Sequence, residues 1–217
     1  MTVDAQSAEI FYQGLEQTVQ AWAKSLEVGG REPEGHTYRV AELSLRLAKK
    51  VGMPHTELND LVRGALLHDI GKVGVPDSIL LKPGKLEPTE RALIEQHPMI
   101  ARQLLTPVEI LRNAIDIPYC HHERWDGKGY PRGLKGTQIP LAARIFAVVD
   151  VYDSLTIDQP YRAAWTHERA LEHIEASAGT HFDPDIVPQF VMVVNGLATE
   201  AGIGHEQKIS PIEQLRV

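Results

Sequence analysis

Cysteine is almost missing from this chain of 217 residues: Cys120 stands alone. No internal disulfide can form, and a reducing, cytoplasmic setting is the expectation. Long apolar runs are missing too. None approaches the roughly 20 residues of a membrane span, and the N-terminus lacks the basic, apolar and small-residue order of a secretion signal. Positive charge is in deficit, with 22 Lys and Arg against 29 Asp and Glu and a formal net charge of −7. Such a surface is not expected to hold duplex nucleic acid or an anionic membrane. Useful period-two alternation is also absent, whereas 3.6-residue periodicity recurs, so the chain is expected to be all-α.

The periodicity lays out the helices. A first helix is expected over 6–27, with Ile10, Leu15, Val19, Trp22 and Leu26 on one side and a C-cap at Gly29-Gly30. Residues 1–30 then form an N-terminal helix, either a homodimer face or a linker from an upstream domain. The main domain is expected over 31–197, followed by a C-terminal tail at 198–217. Pro33 suits the first position of the next helix, which carries His36, Val40, Leu43, Leu47 and Val51 on one stripe. Leu58, Leu61, Val62 and Ala65 form another stripe, which His68, Asp69 and Lys72 continue. A helix over Pro88–His97 gives way to a new segment at Pro98, with Leu93, His97, Ala101 and Leu104 sharing a face. A helix from Pro107 to His122, kinked at Pro118, aligns Val108, Leu111, Ile115 and His122. Ile139-Pro140 opens a long helix with Ala143, Phe146, Asp150, Asp153 and Ile157 along its stripe. Helices over 166–178 and 184–197 complete the domain, the second capped by Asp183.

Histidine is abundant: there are ten. His36, His68, His97, His121 and His122, with Glu32, Asp69 and Asp150, occupy positions where the periodicity calls for apolar side chains. A single inward histidine is ordinarily a hydrogen-bonded core residue. So many, from several helices, are explained together by a shared metal site of imidazole and carboxylate ligands. With no cysteine among the candidates, iron or manganese is favoured over thiolate zinc, while imidazole-rich zinc stays open. Two metals about 3.5–4 Å apart acidify a bridging water and stabilise charge on a phosphoryl oxygen, which is hydrolytic chemistry. Lys72, one helical turn past Asp69, is placed to meet a phosphate as a point charge.

Between Glu123 and Gly136 the sequence reads Glu-Arg-Trp-Asp-Gly-Lys-Gly-Tyr-Pro-Arg-Gly-Leu-Lys-Gly, irregular and locally basic. Its glycines allow close approach of a ligand, and Tyr130 offers a ring for stacking or a hydroxyl for phosphate. Arg124 is expected to orient a carboxylate behind the ligands, and Asp153 to hold a histidine's second ring nitrogen or a loop lysine. Cys120 reads as a small buried residue, and His55, His167, His173, His181 and His205 are assigned no role.

These motifs carry a resemblance. His68-Asp69-Ile70-Gly71-Lys72, then His121-His122-Glu123-Arg124-Trp125-Asp126-Gly127-Lys128-Gly129-Tyr130-Pro131, Asp150-Val151-Tyr152-Asp153 and Phe182-Asp183-Pro184 resemble the HD-GYP subgroup of the HD phosphohydrolases over roughly residues 31–193. The resemblance implies an all-helical bundle with two or three divalent ions, usually iron, that hydrolyses the bacterial second messenger cyclic di-GMP to linear pGpG or GMP. It implies Glu32, His36, His68, Asp69, His97, His121, His122 and Asp150 as ligands, with Asp69 bridging and Lys72 beside it in catalysis. The further carboxylate is Glu32 or Glu34, Glu32 being the better placed. Lys72, Tyr130 and Arg162 are the implied substrate contacts, and residues 123–136 an implied docking face for diguanylate cyclase (GGDEF) domains. One departure stands out: Gln159 occupies a position where the family carries a cation. A charge-assisted contact is worth about 1.5–3 kcal/mol, so weak turnover, a sensor or docking module, and another phosphoester substrate remain the alternatives.

Overall fold

The order of elements follows the apolar periodicity and the proline and glycine breaks. The computed structural model describes residues 5–158 and 162–201, and among these there is no β-strand. The helices are α1 (Ala5–Val28), α2 (His36–Lys50), α3 (His55–Leu66), α4 (Asp77–Leu80), α5 (Pro88–Ile94), α6 (His97–Leu105), α7 (Asp116–Cys120), α8 (Leu141–Thr156), α9 (His167–Ala176) and α10 (Ile186–Ala201). The domain is all-α, as expected.

The centre is α2, packed between α3 and α8. Val40, Leu47, Leu58, Leu61, Phe146 and Phe190 are all but fully buried there. Side chains of this size each contribute about 1.5–3 kcal/mol on burial. The site elements sit on this core: α6 presses on the 3-10 turn Ile70–Gly74, and α7 rests on α6 and α8.

Several boundaries differ from the sequence reading, each for a local reason. Pro33 is not the first residue of α2. The chain turns first, with Gly35 in the left-handed region (φ 71), and α2 starts at His36. The apolar stripe of α3 does not run on through the His-Asp pair. The helix ends at Leu66, and the backbone tightens into the 3-10 turn at Ile70. Gly71 is what allows this, because a Cβ there would lie 1.9 Å from the His97 carbonyl oxygen.

The helix expected from Pro107 to His122 is instead two 3-10 turns, Glu109–Leu111 and Asn113–Ile115, followed by α7. Pro118 falls in the first turn of α7, where a missing N–H costs nothing, so it begins a helix rather than kinking one. Leu93 and Leu104 are exposed, at 42% and 45%, and Leu105 takes the buried place beside Ala101. On α1, Val19, Ala23 and Leu26 are buried, while Ile10 and Trp22 are not. The last helix continues to Ala201, past the expected start of the tail; residues 202–217, His205 among them, lie outside the described residues.

Candidate metal centre

Asp69 stands where the ligands converge. Its Oδ1 is 3.0 Å from His97 Nε2 and 3.7 Å from His121 Nε2. Its Oδ2 is 3.1 Å from His68 Nε2 and 2.7 Å from Lys72 Nζ. Donor atoms of Asp69, His97, His121 and His122 all lie within 4.8 Å of one another, and so do those of Glu32, His36 and His68. Asp150 joins the second group with Oδ1 3.3 Å from His36 Nε2. The ligand candidates named from the sequence are thus brought together from α2, α6, α8 and the connecting turns, His121 and His122 directly following α7. Glu32, not Glu34, faces the cluster, with Oε2 3.7 Å from His36 Nε2.

The backbone fixes which nitrogen each ring offers. Nδ1 of His68 donates to the Ala65 carbonyl at 2.8 Å, that of His97 to Ile94 at 2.8 Å, and that of His121 to Ile117 at 3.0 Å. A carbonyl only accepts, so each Nδ1 carries the hydrogen, and in the neutral ring Nε2 carries a lone pair. The Nε2 atoms of His97 and His121 face each other at 3.3 Å. Beside them Asp69 Oδ1 is buried without a hydrogen-bond partner. Two imidazole lone pairs and a carboxylate oxygen converging away from water are costly unless a cation sits among them. The residues present therefore fit a divalent ion with nitrogen and oxygen ligands.

The charge state of the two groups differs. Burial, reinforced by the neighbouring imidazoles, pushes His122 well below the usual histidine range. Burial also lowers His121, outweighing the pull of Asp69. These rings are neutral and ready to bind. In the other group burial alone would depress His36, but Asp150 and Asp153, then Glu32, outweigh it and raise the imidazole to about 10. Burial and the charge of Asp69 raise Glu32 to about 7 against the pull of Lys72. Lys72 pairs with both Glu32 and Asp69, and those carboxylates overcome its burial and raise it. Without metal, protons and an ammonium balance the carboxylates here. Lys72 reaches Asp69 across a 3-10 turn, three residues on, rather than an α-helical one.

Behind His36, Nδ1 lies 2.8 Å from Asp153 Oδ2, as the sequence led one to expect. The same carboxylate takes a two-point contact from Arg39, Nε to Oδ1 at 2.8 Å and Nη2 to Oδ2 at 3.0 Å. Arg39 escaped the sequence reading. Its signal was the i, i+3 spacing from His36 on a helix whose buried face was already known. Arg124, expected to orient a carboxylate behind the ligands, instead grips Asp126, two residues on in its own loop, at 3.0 Å.

The Gly-Tyr-Pro loop is built against the metal ligands. Glu123, buried, accepts the backbone N–H groups of Arg132 at 2.7 Å and Leu134 at 2.9 Å. Gly129 passes so close to residues 122–124 that a Cβ would sit 2.4 Å from the Arg124 nitrogen. That approach lays the Tyr130 ring on the His122 ring, centroids 4.7 Å apart. Trp125 and Asp126 donate their N–H groups to the carbonyls of His181 and Thr180, tying the loop to the turn after α9. Glu123 was also missed, since a lone glutamate in a loop carries no periodic signal.

Arg162, an implied substrate contact, lies at the end of α8. Its guanidinium donates to the carbonyls of Ser154 at 2.6 Å and Leu155 at 3.0 Å, near the C-terminal end of α8. Carbonyls at a helix end attract a cation, so the side chain caps the helix. Gln159 lies outside the described residues. Cys120 is buried, as expected, and burial with nearby carboxylates pushes its thiol up to about 12.

A family model described as "HD domain" matches residues 17–186. The chain belongs to the HD domain family. Its His-Asp pair and Gly-Tyr-Pro loop place it in the HD-GYP branch. The HD domain implies divalent metal binding, in keeping with the two donor groups.

Among curated relatives, "Cyclic di-GMP phosphodiesterase" of Thermotoga maritima is 42% identical over 162 residues, covering 74% of this chain and 44% of the relative. "3'3'-cGAMP-specific phosphodiesterase 2" of Vibrio cholerae is 40% identical over 167 residues, covering 76% and 32%. This HD domain thus spans less than half the length of these relatives. The solved structure of a cyclic GMP-AMP specific phosphodiesterase of V. cholerae, V-cGAP3, aligns with a TM-score of 0.64 at 22% identity, over 87% of this chain and 50% of that one, a likeness of fold. Among the described residues no helix is long and apolar enough to cross a membrane.

Proposed function

We propose that this HD domain is a metal-dependent phosphodiesterase that hydrolyses cyclic di-GMP to linear pGpG, GMP or both. The observation that carries the reading is the convergence of the His97 and His121 Nε2 atoms on Asp69 Oδ1, a buried oxygen that a divalent cation would satisfy. In support, relatives across the greater part of this chain bear phosphodiesterase names. Bound divalent ions supply Lewis acidity and an activated water.

The chain's own residues divide the remaining work. Asp69 would hold the ions together, lying between His97 and His121 on one side and His68 on the other. Lys72, paired with Glu32 and Asp69, would offer its ammonium to the substrate phosphate once Glu32 helps to hold an ion. Tyr130, whose ring lies on His122, would border the bound substrate. Divalent iron is our first assignment, with manganese next, because the donors are imidazole and carboxylate. Each of the two donor groups would hold one ion, and Glu32 and His36 would be the residues available to a third. We place the domain over 31–197 in the cytoplasm, with α1 leading from a neighbouring domain or pairing with a second copy through uncovered residues such as Ile10 and Trp22.

Incubating metal-loaded protein with cyclic di-GMP and separating the products tests the reading. Release of pGpG or GMP, lost in His68→Ala and Asp69→Ala, supports it; intact substrate beside a fully loaded protein rejects it. A second reading has its own observation. Lys128, Arg132 and Lys135 are exposed on a loop tied down by Glu123, a rigid basic face suited to docking a partner such as a GGDEF domain. Partner capture that survives His68→Ala, with no turnover in the parent, favours that reading.

A further inference from the structure

A cleft of about 540 Å³ opens next to the metal groups, and none of the ligands lines it. Its walls are Tyr130, Leu86, Ile94, Lys85, Arg91 and Glu95. Two walls connect it to the cluster: Tyr130 stacks on His122, and the Ile94 carbonyl accepts the His97 Nδ1 hydrogen. A phosphodiester held at the cluster would therefore place one flanking nucleoside in this cleft.

We propose that the cleft is a nucleobase subsite and that Glu95, with Arg91, selects guanine over adenine. This rests on the cyclic dinucleotide reading above and specifies which base that substrate must carry. The flat faces are supplied by Tyr130 and by the apolar side chains of Leu86 and Ile94, Leu86 being left 36% exposed. Bases stack on aromatic rings without regard to sequence, so those faces bind a base but do not choose one.

The choice lies at the rim. Guanine presents N1–H and the N2 amine as donors and O6 and N7 as acceptors, whereas adenine offers a bare N1 and a donor at N6. A carboxylate beside a guanidinium complements guanine on both edges. Arg91 Nε meets Glu95 Oε1 at 3.0 Å across one turn of α5. Among the described residues no further side-chain hydrogen bond engages Glu95 Oε2 or the Arg91 Nη groups. Glu95 thus has an oxygen to accept from N1–H and N2, and Arg91 has donors for O6 and N7. Adenine would set its unprotonated N1 against a carboxylate. A site built to pair with such groups rejects an analogue lacking them by large factors.

The test is calorimetric binding of cyclic di-GMP and cyclic di-AMP to the metal-loaded full chain, its Glu95→Gln and Glu95→Ala variants, and Arg91→Met. Metal content per chain and thermal melting serve as controls on folding. The parent should bind cyclic di-GMP tighter by about tenfold or more, and both Glu95 variants should bring the ratio towards one. A parent without guanine preference, or Glu95 variants that keep the parent ratio, overturns the assignment. Guanine-selective binding without turnover sinks the hydrolytic reading and leaves the subsite standing. Turnover of cyclic di-GMP with a ratio indifferent to Glu95 does the reverse.

Discussion

His36 is held between two carboxylates of α8: Nδ1 lies 2.8 Å from Asp153 Oδ2 and Nε2 3.3 Å from Asp150 Oδ1. Asp150 and Asp153 are three residues apart, so one helical turn presents a ligand and the support for its neighbour. The support is itself anchored by Arg39. Removing that anchor changes the aim and basicity of the imidazole without touching a ligand. Asp153→Asn should therefore lower metal affinity by about 10–100-fold with the fold intact, checked by metal titration alongside circular dichroism. Arg39→Met should act in the same direction.

The raised His36 pKa makes metal-free stability fall with pH. A histidine raised from 6.5 to about 10 binds more protons folded than unfolded between those values. Its contribution is complete below pH 6.5 and is lost as pH climbs towards 10, at a slope of up to about 1.4 kcal/mol per unit for one proton. Thermal melts of the metal-free protein should decline across that window, and His36→Ala should flatten the decline. Metal must displace the same proton, so loading near pH 8 should release protons, read by calorimetry in buffers of different ionisation enthalpy.

His181 sets the opposite limit. Burial, then Arg124, lowers its imidazole from 6.5 to about 4. The folded state binds fewer protons in that interval, so stability is lost as pH falls from 6.5 towards 4. Half-burial and screening reduce the effect to about 1–2 kcal/mol. Because the His181 carbonyl holds the Trp125 N–H, the Gly-Tyr-Pro loop should loosen first. Hydrogen exchange at Trp125 and Asp126, followed from pH 7 to about 4.5, reads this, and His181→Gln should remove the dependence.

Glu123→Gln keeps one acceptor for Arg132 or Leu134 and deprives the other. An unmet buried group costs about 1–3 kcal/mol, and the loop carrying Tyr130 loses definition. KM for cyclic di-GMP should rise while metal content stays at the parent value. Steady-state kinetics with metal analysis on the same preparation checks both.

Gly71→Ala should be far more damaging than its size implies, because the added methyl carbon would meet the His97 carbonyl oxygen at 1.9 Å. The turn bearing Asp69 and the helix bearing His97 must then separate. Loss of metal binding, with either a lowered melting point or failure to accumulate folded protein, is the expected outcome.

Much of this was legible in the residues themselves. A buried histidine or aspartate breaks an apolar stripe, and that break is visible at His36, His97 and Asp150 without coordinates. The supporting groups were harder to see. Arg39 looks like any polar helical residue, and Glu123 like any loop glutamate, until the chain folds back upon them. Arg162 reads as a substrate contact because it is basic and near a motif, and its contacts with the carbonyls ending α8 leave no trace in the periodicity. Periodicity continues the helix through the His-Asp pair, yet Gly71 and the contact with His97 end the helix before it. Periodicity records which side is buried, and it does not record where a tertiary contact tightens the backbone.

The claim that Asp69 joins two metal groups is tested most directly by anomalous diffraction from crystals of the metal-loaded protein. Separate peaks are expected on either side of Asp69, one among His97, His121 and His122 and one among Glu32, His36, His68 and Asp150. Loaded protein whose only peaks lie away from Asp69 would contradict it.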